Sequence, residues 1–185
     1  PYLRSVTDDD SKSPYHNWTS KFTVAQVEKQ LASAGKEVGN LRSIALVPIS
    51  SSGSVTGRSA SGRAYGVKFT GTNGDITLTG EQARRIFGLK SAMFNVRTER
   101  SVQVPAKGTK KATASDGQTI DTKPAAMNDG IMKLQGVDNV VFEGHGFGHG
   151  LGMAQYGANA MAAAGSSYDV ILHHYYTNVI IQEIY

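Results

Sequence analysis

The 185-residue sequence predicts an α+β domain: an antiparallel β-meander and sheet with short helices, then a C-terminal glycine-rich loop followed by two helices and a last strand. Three observations carry that expectation. Short alternating apolar runs are separated by turn signals over most of the chain. Capping residues mark a helix start. Glycine recurs at every second position from Gly144 to Gly152, ahead of an Ala- and Met-rich stretch.

The first stretch, Pro1 to Trp18, alternates and then breaks at Asp8-Asp9-Asp10 and Ser13-Pro14, which reads as a strand followed by a loop. The three aspartates lack the order and closing Glu of a calcium loop, so a solvated acidic turn is expected. Trp18 to Phe22 resumes strand character. Thr23 then caps a helix with Gln26 in the capping-box position, and Val24, Val27 and Leu31 form its buried stripe until Gly35.

Leu41 to Ile49 is a strand, Ser50 to Gly62 a long Ser/Gly-rich turn, and Ala64 to Phe69 the return strand. Thr72-Asn73-Gly74-Asp75 signals a hairpin into Ile76-Thr77-Leu78. Glu81 to Phe87 is a short helix with Arg84 and Arg85 solvated, and Met93 to Val96 another strand. From about 99 to 130 large apolar residues are scarce, so this segment reads as a surface hairpin or mobile insertion. Ile131 to Leu134 and Val137 to Phe142 deliver the chain to the glycine loop, with Glu143 at the hinge. A helix is expected from near Gly152 to a left-handed stop at Gly165, and a second from Ser167 to Tyr176.

Composition bounds the class. The length suits one compact domain or two small ones. Without cysteine there is neither a disulfide nor a thiolate metal site. A thinly spread net charge of +4 fits a solvated basic surface, and no nucleic-acid partner is expected. The chain opens at Pro1 with no initiator Met, signal peptide or apolar run able to span a bilayer, so a removed targeting segment is expected.

The loop is the chemical signal. Alternate glycines strip side chains from a ribbon that still carries His145 and His149, which suits close approach of a ligand to the main chain. Its N–H groups and the following helix start favour an anion or a carbonyl oxygen. The spacing is neither the dinucleotide fingerprint nor a Walker loop. No cofactor is expected; zinc held by His145, His149, His173 and His174 is the alternative the histidines leave open. The plain reading of His145 and His149 is a hydrogen-bonded pair in a tight turn. Gln155 and Asn159 share a helix face and could bind acetamido or hydroxyl groups, with Tyr156 one step round.

Gly148-His149-Gly150-Leu151-Gly152-Met153-Ala154-Gln155-Tyr156-Gly157-Ala158, followed by Gly165 to Tyr176, resembles the C-terminal signature of the stage II sporulation protein D and amidase enhancer family. Pro1 to Val6 with Ser13-Pro14 and Trp18, and Leu78-Thr79-Gly80, Arg85, Gly88 to Ser91 and Phe94, are similar to its earlier parts. The resemblance implies work on the bacterial cell wall, outside the cytoplasm or in the cell envelope. Its members are lytic transglycosylases that cut peptide-stripped glycan strands, or helpers of a wall amidase. It implies peptidoglycan glycan as partner, with His149 and Gln155 lining a groove, Tyr156 beside them and Gly148, Gly150 and Gly152 as its floor. His145 stands where relatives differ.

The family's catalytic glutamate lies in an N-terminal segment with no counterpart here. The resemblance therefore implies that residues 1–185 are a C-terminal portion of such a domain, completed by a missing N-terminal half and, in the alternative, partnered by a wall amidase or another sporulation hydrolase. Glycosidic cleavage needs a carboxylic acid to protonate the leaving oxygen, and Glu143 is the only acid adjacent to the loop. A glutamate at a strand end is more often a surface residue, and the signature does not call for one there.

Overall fold

The structure, a computed structural model, describes residues 2–4, 6–48, 62–99 and 131–182. The long turn expected between 50 and 62 and the insertion expected between 99 and 130 lie almost wholly outside the described residues.

Two antiparallel sheets and four helices make up the described fold. Strands β1 (Asn17–Thr23), β7 (Asn139–His145) and β5 (Phe94–Glu99) form one sheet in the order β1-β7-β5. The other runs β4-β3-β2-β6, from β4 (Gly74–Thr79), β3 (Gly66–Gly71), β2 (Leu41–Val47) and β6 (Ile131–Lys133). The meander expected from the sequence is β2-β3-β4, turned at Thr72-Asn73 into Gly74, whose φ of 121° suits only glycine.

Phenylalanines from both sheets join in one core. Phe87 stacks on Phe142 at 5.3 Å between ring centroids, Phe94 meets Phe142 edge-on at 5.5 Å, and Phe69 lies 5.6 Å from Phe87. Such tilted and edge-on pairs add to the apolar burial itself.

Helix α1 (Val24–Ser33) begins as the sequence dictates. The Thr23 hydroxyl accepts from the Gln26 amide at 3.1 Å and Gln26 Oε1 accepts from the Thr23 amide at 2.8 Å, while Val27 and Leu31 are wholly buried. The same capping box, Thr79 with Gln82, opens α2 (Gly80–Phe87), and Gly88 closes it in the left-handed region. Arg84 is not merely solvated, since Glu81 takes it at 2.7 Å; Arg85, on the same carboxylate at 3.3 Å, stays largely exposed. The C-terminal helices are α3 (Gln155–Ala163) and α4 (Tyr168–Tyr175).

Four expectations need correction. Among the described residues the opening strand is reduced to one bridge, Leu3 to Tyr176, and side-chain bonds from α4 take over at Thr7 and Asp8. Among the described residues, through Gln182, no last strand forms either; that bridge and the Thr177 amide bonded to the Tyr2 carbonyl continue past α4. Helix α3 starts at Gln155 rather than near Gly152, since a φ of 102° at Gly152 cannot belong to a right-handed helix. Glu143 is no hinge, for β7 runs on through His145 and pairs on both sides.

Candidate functional site

The glycine ribbon leaves the end of β7 and is anchored at its first turn. Trp18 opposes Gly144 across the sheet and sends its indole N–H to the Gly146 carbonyl at 3.0 Å. The buried Ser91 hydroxyl donates to the His145 carbonyl at 2.6 Å, the His145 amide bonds to the Met93 carbonyl at 2.9 Å, and the Gly148 amide to the Lys90 carbonyl at 2.7 Å. Beyond Gly144 the alternation has a backbone cause. Gly146, Gly148, Gly150 and Gly152 all take positive φ, at 69°, 92°, 72° and 102°, so each residue between them is thrown to the outside.

What projects is exposed. Phe147 is 65% and Leu151 71% accessible, and His149 and Gly150 are open as well. The ribbon is therefore not sealed beneath the chain. Part of its donor capacity is already used: the Leu151 amide donates to His149 Nδ1 at 2.9 Å and the Met153 amide to the Tyr176 hydroxyl at 3.2 Å. The first of these uses His149 Nδ1 as an acceptor, which leaves Nε2 to carry the ring N–H. One cation packs on the ribbon, for the Arg63 guanidinium lies where a side chain at Gly150 would be.

Downstream, Gln155, Tyr156 and Asn159 of α3 are exposed, and the Ala154 N-cap supplies no side-chain bond. Gly157 is buried against the Asp8 carboxylate and the Tyr175 hydroxyl. Tyr175, itself buried, donates to Asp8 at 2.6 Å; burial first and then this bond push its phenol well above the ordinary value. The His174 ring donates to the Thr7 carbonyl at 2.9 Å. Together these bonds strap the N-terminal segment across α3 and α4.

The histidines are not gathered into a metal site. His145 reaches the His16 carbonyl at 3.2 Å, His173 the Asp169 carbonyl at 2.8 Å and His174 the Thr7 carbonyl, while His149 serves its own turn. Among the described residues no three metal-ligating side chains converge. The acidic run diverges in the same way. Asp8 meets Tyr175, Asp9 takes the Ser11 amide, and Asp10 pairs with His16 Nδ1 at 2.6 Å.

Glu143 and His145 share the outer face of the three-stranded sheet with Asn17, Thr19 and Asn95, and these line a polar hollow of about 390 Å³. Glu143 is already engaged, since Arg97 donates to it at 2.7 Å and also holds Glu99 at 2.5 Å. His149, Gln155 and Tyr156 lie outside that hollow. The sequence-predicted residues thus divide into a sheet-face group and a ribbon-and-helix group.

Sequence reasoning passed over Tyr15 and Lys90. The Tyr15 ring sits 4.8 Å from Phe147, and Lys90 Nζ lies 5.7 Å from the centre of the Tyr15 ring. Their separation in the chain hides this grouping; the one local signal was Phe147, a large apolar residue where every neighbour is glycine or histidine.

Short stretches of the chain are similar to known proteins. One is 60% identical over 38 residues to "Stage II sporulation protein D" of Bacillus amyloliquefaciens, 20% of this chain and 11% of that protein. Another is 48% identical over 46 residues to "Stage II sporulation protein D" of Bacillus subtilis, covering 25% and 13%. A third is 64% identical over 33 residues to "Amidase enhancer" of Bacillus subtilis, covering 18% and 5%. The chain therefore spans only a small part of each relative, and the relationship to these proteins rests on those stretches. A family model described as "Domain of unknown function (DUF8618)" matches residues 1–112, well over half of the sequence, and to that family the chain belongs.

Proposed function

We propose that this chain binds the glycan strands of peptidoglycan along the ribbon from Gly144 to Gly152, as a C-terminal portion of a sporulation protein D-like domain at the cell envelope. The observation that carries the reading is the ribbon itself: four left-handed glycines, anchored at their start and part-exposed, with the exposed Phe147, His149 and Leu151 between them, beside an exposed helix face with Gln155, Tyr156 and Asn159. A sugar polymer can approach such a backbone closely, and its acetamido and carboxylate oxygens match amide and imidazole N–H donors. The names of the matched relatives, a sporulation protein and an amidase enhancer, point to the same wall chemistry.

In this reading His149 donates through Nε2 to the glycan, Gln155 and Tyr156 contact it from α3, and Gly148, Gly150 and Gly152 form the floor, with the Arg63 guanidinium against it at Gly150. Glu143, whose carboxylate is held by Arg97, is not the acid that lytic transglycosylase cleavage requires in this reading. Binding of the full chain to purified, peptide-stripped glycan strands tests the proposal. Retention is expected, with about tenfold weaker binding for His149→Ala, the scale of one well-placed hydrogen bond to a ligand. No retention of the wild-type chain sinks the reading.

The amidase enhancer stretch favours one alternative, a non-catalytic wall module that stimulates an amidase. An increase in amidase rate on sacculi when the chain is added, with no binding to the stripped strands, selects that alternative.

A further inference from the structure

We infer that Asp8 is a latch: with Tyr175 it fastens α3 and α4 to the N-terminal strap, and displacing that strap releases the two helices as one unit, carrying Gln155, Tyr156 and Asn159 away from the ribbon. The device belongs to the fold and does not depend on which ligand the ribbon takes.

The helix pair has little of its own to hold it in place. α3 has nine residues and α4 eight, short of the roughly 12–15 at which an isolated helix becomes marginally stable. Among the described residues neither helix has a side-chain hydrogen bond at its N-cap. Their buried residues, Gly157, Ile171 and Tyr175, lie outside the apolar cluster that unites the two sheets. The helices α1 and α2 differ on both counts, since each opens on a capping box and places side chains such as Leu31 and Phe87 in that cluster.

The strap supplies what the pair lacks, and its contacts gather at the end of α4. The Tyr175 hydroxyl donates to Asp8 at 2.6 Å, the His174 ring to the Thr7 carbonyl at 2.9 Å, and the Thr177 amide to the Tyr2 carbonyl at 2.9 Å, beside the Leu3–Tyr176 bridge. Asp8 acts on α3 as well. Gly157, the third residue of that helix, has no side chain, and the space a Cβ would take is filled by the Asp8 carboxylate and the Tyr175 hydroxyl. A carboxylate against the first turn complements the helix dipole, which Ala154 at the N-cap cannot do. One side chain therefore joins both helices. The end of α4 is in turn tied to the exit of the ribbon, because the Tyr176 hydroxyl accepts from the Met153 amide at 3.2 Å. A unit with so little buried apolar surface opens before the sheets do, and a single charged group decides how often.

Hydrogen exchange of the full chain, followed by mass spectrometry across a urea series, tests the latch. In the wild type, peptides from α3 and α4 are expected to exchange together, before those of β1, β5 and β7, and with a weaker urea dependence because less surface is exposed. Asp8→Ala should speed both helices about 10- to 100-fold, the scale of a hydrogen bond to a charged group, and Tyr175→Phe, which removes only the hydroxyl, should also speed both. Val27→Ala, which opens a cavity in the main core, should speed the sheets and leave α3 and α4 unchanged. Wild-type helices that share the rate and urea dependence of the sheets overturn the separate unit, without recourse to any variant. Helices that accelerate with Val27→Ala overturn it too. An Asp8→Ala variant that speeds α4 alone, or neither helix, overturns the latch.

Discussion

Replacing Gly144 by alanine separates local preference from tertiary constraint. Gly144 sits inside β7, opposite Trp18 of β1 and Phe94 of β5, and is not one of the left-handed glycines. By backbone entropy alone alanine should stabilise the strand by about 0.5–1 kcal/mol. Its Cβ would lie 2.6 Å from Trp18 Cε2 and 2.5 Å from the Met93 carbonyl oxygen, with Trp18 Cζ2 nearer still. Trp18 is buried and cannot withdraw without stretching its bond to Gly146. Overpacking of this kind costs about 1–3 kcal/mol, and the loosened hydrogen bond about 1 kcal/mol more. After the backbone gain is subtracted, a net loss of about 1–3 kcal/mol is expected, a fall in Tm of roughly 3–10 °C for a domain of this size. Thermal melts give the first readout. Trp18 is the sole tryptophan, so its emission reports the displacement directly. A variant that melts at or above the wild-type temperature with unshifted emission refutes the reasoning.

Gly157→Ala gives the same reversal of sign on a helix: propensity predicts a gain of about 1 kcal/mol, yet a Cβ there meets the Asp8 carboxylate and the Tyr175 hydroxyl. Breaking that bond is expected to cost about 1–3 kcal/mol in urea denaturation, less than additively with Asp8→Ala; a stabilised variant contradicts it. The acid limb of stability supplies another prediction. Lys21 and then Arg97 hold the Glu99 carboxyl below the usual range, so its contribution is present above the ordinary glutamate pKa and is lost as pH falls through the depressed one. Glu99→Gln should flatten that limb slightly, and less at high salt because the group is part-exposed; an unchanged acid titration followed by circular dichroism contradicts it.

The α+β class, the Thr23 cap of α1, the hairpin at Gly74 and the boundaries of α2 and α4 were legible in the sequence to within a residue or two, because local propensity and burial periodicity agree there. So was the glycine ribbon, whose alternation is a direct statement about backbone conformation. The mistaken elements share one cause. Pro1 to Val6 alternates like a strand, but among the described residues its pairing stops at the Leu3–Tyr176 bridge and the Thr177 amide on the Tyr2 carbonyl, and Tyr175 and His174 hold the chain just beyond it, at Asp8 and Thr7. Glu143 looked like a terminal residue until β5 and β1 extended β7 past it.

Residue order alone determined that a side-chain-poor loop precedes a helix and that His149 stands on it. Only the tertiary structure decided that Trp18 and Ser91 pin that loop, that Arg63 lies on Gly150, and that Tyr15 and Lys90 gather at Phe147. The physical reason is range. Backbone conformation is set by neighbours in the chain, whereas a binding surface is set by which distant side chains the two sheets bring within a few ångströms of each other.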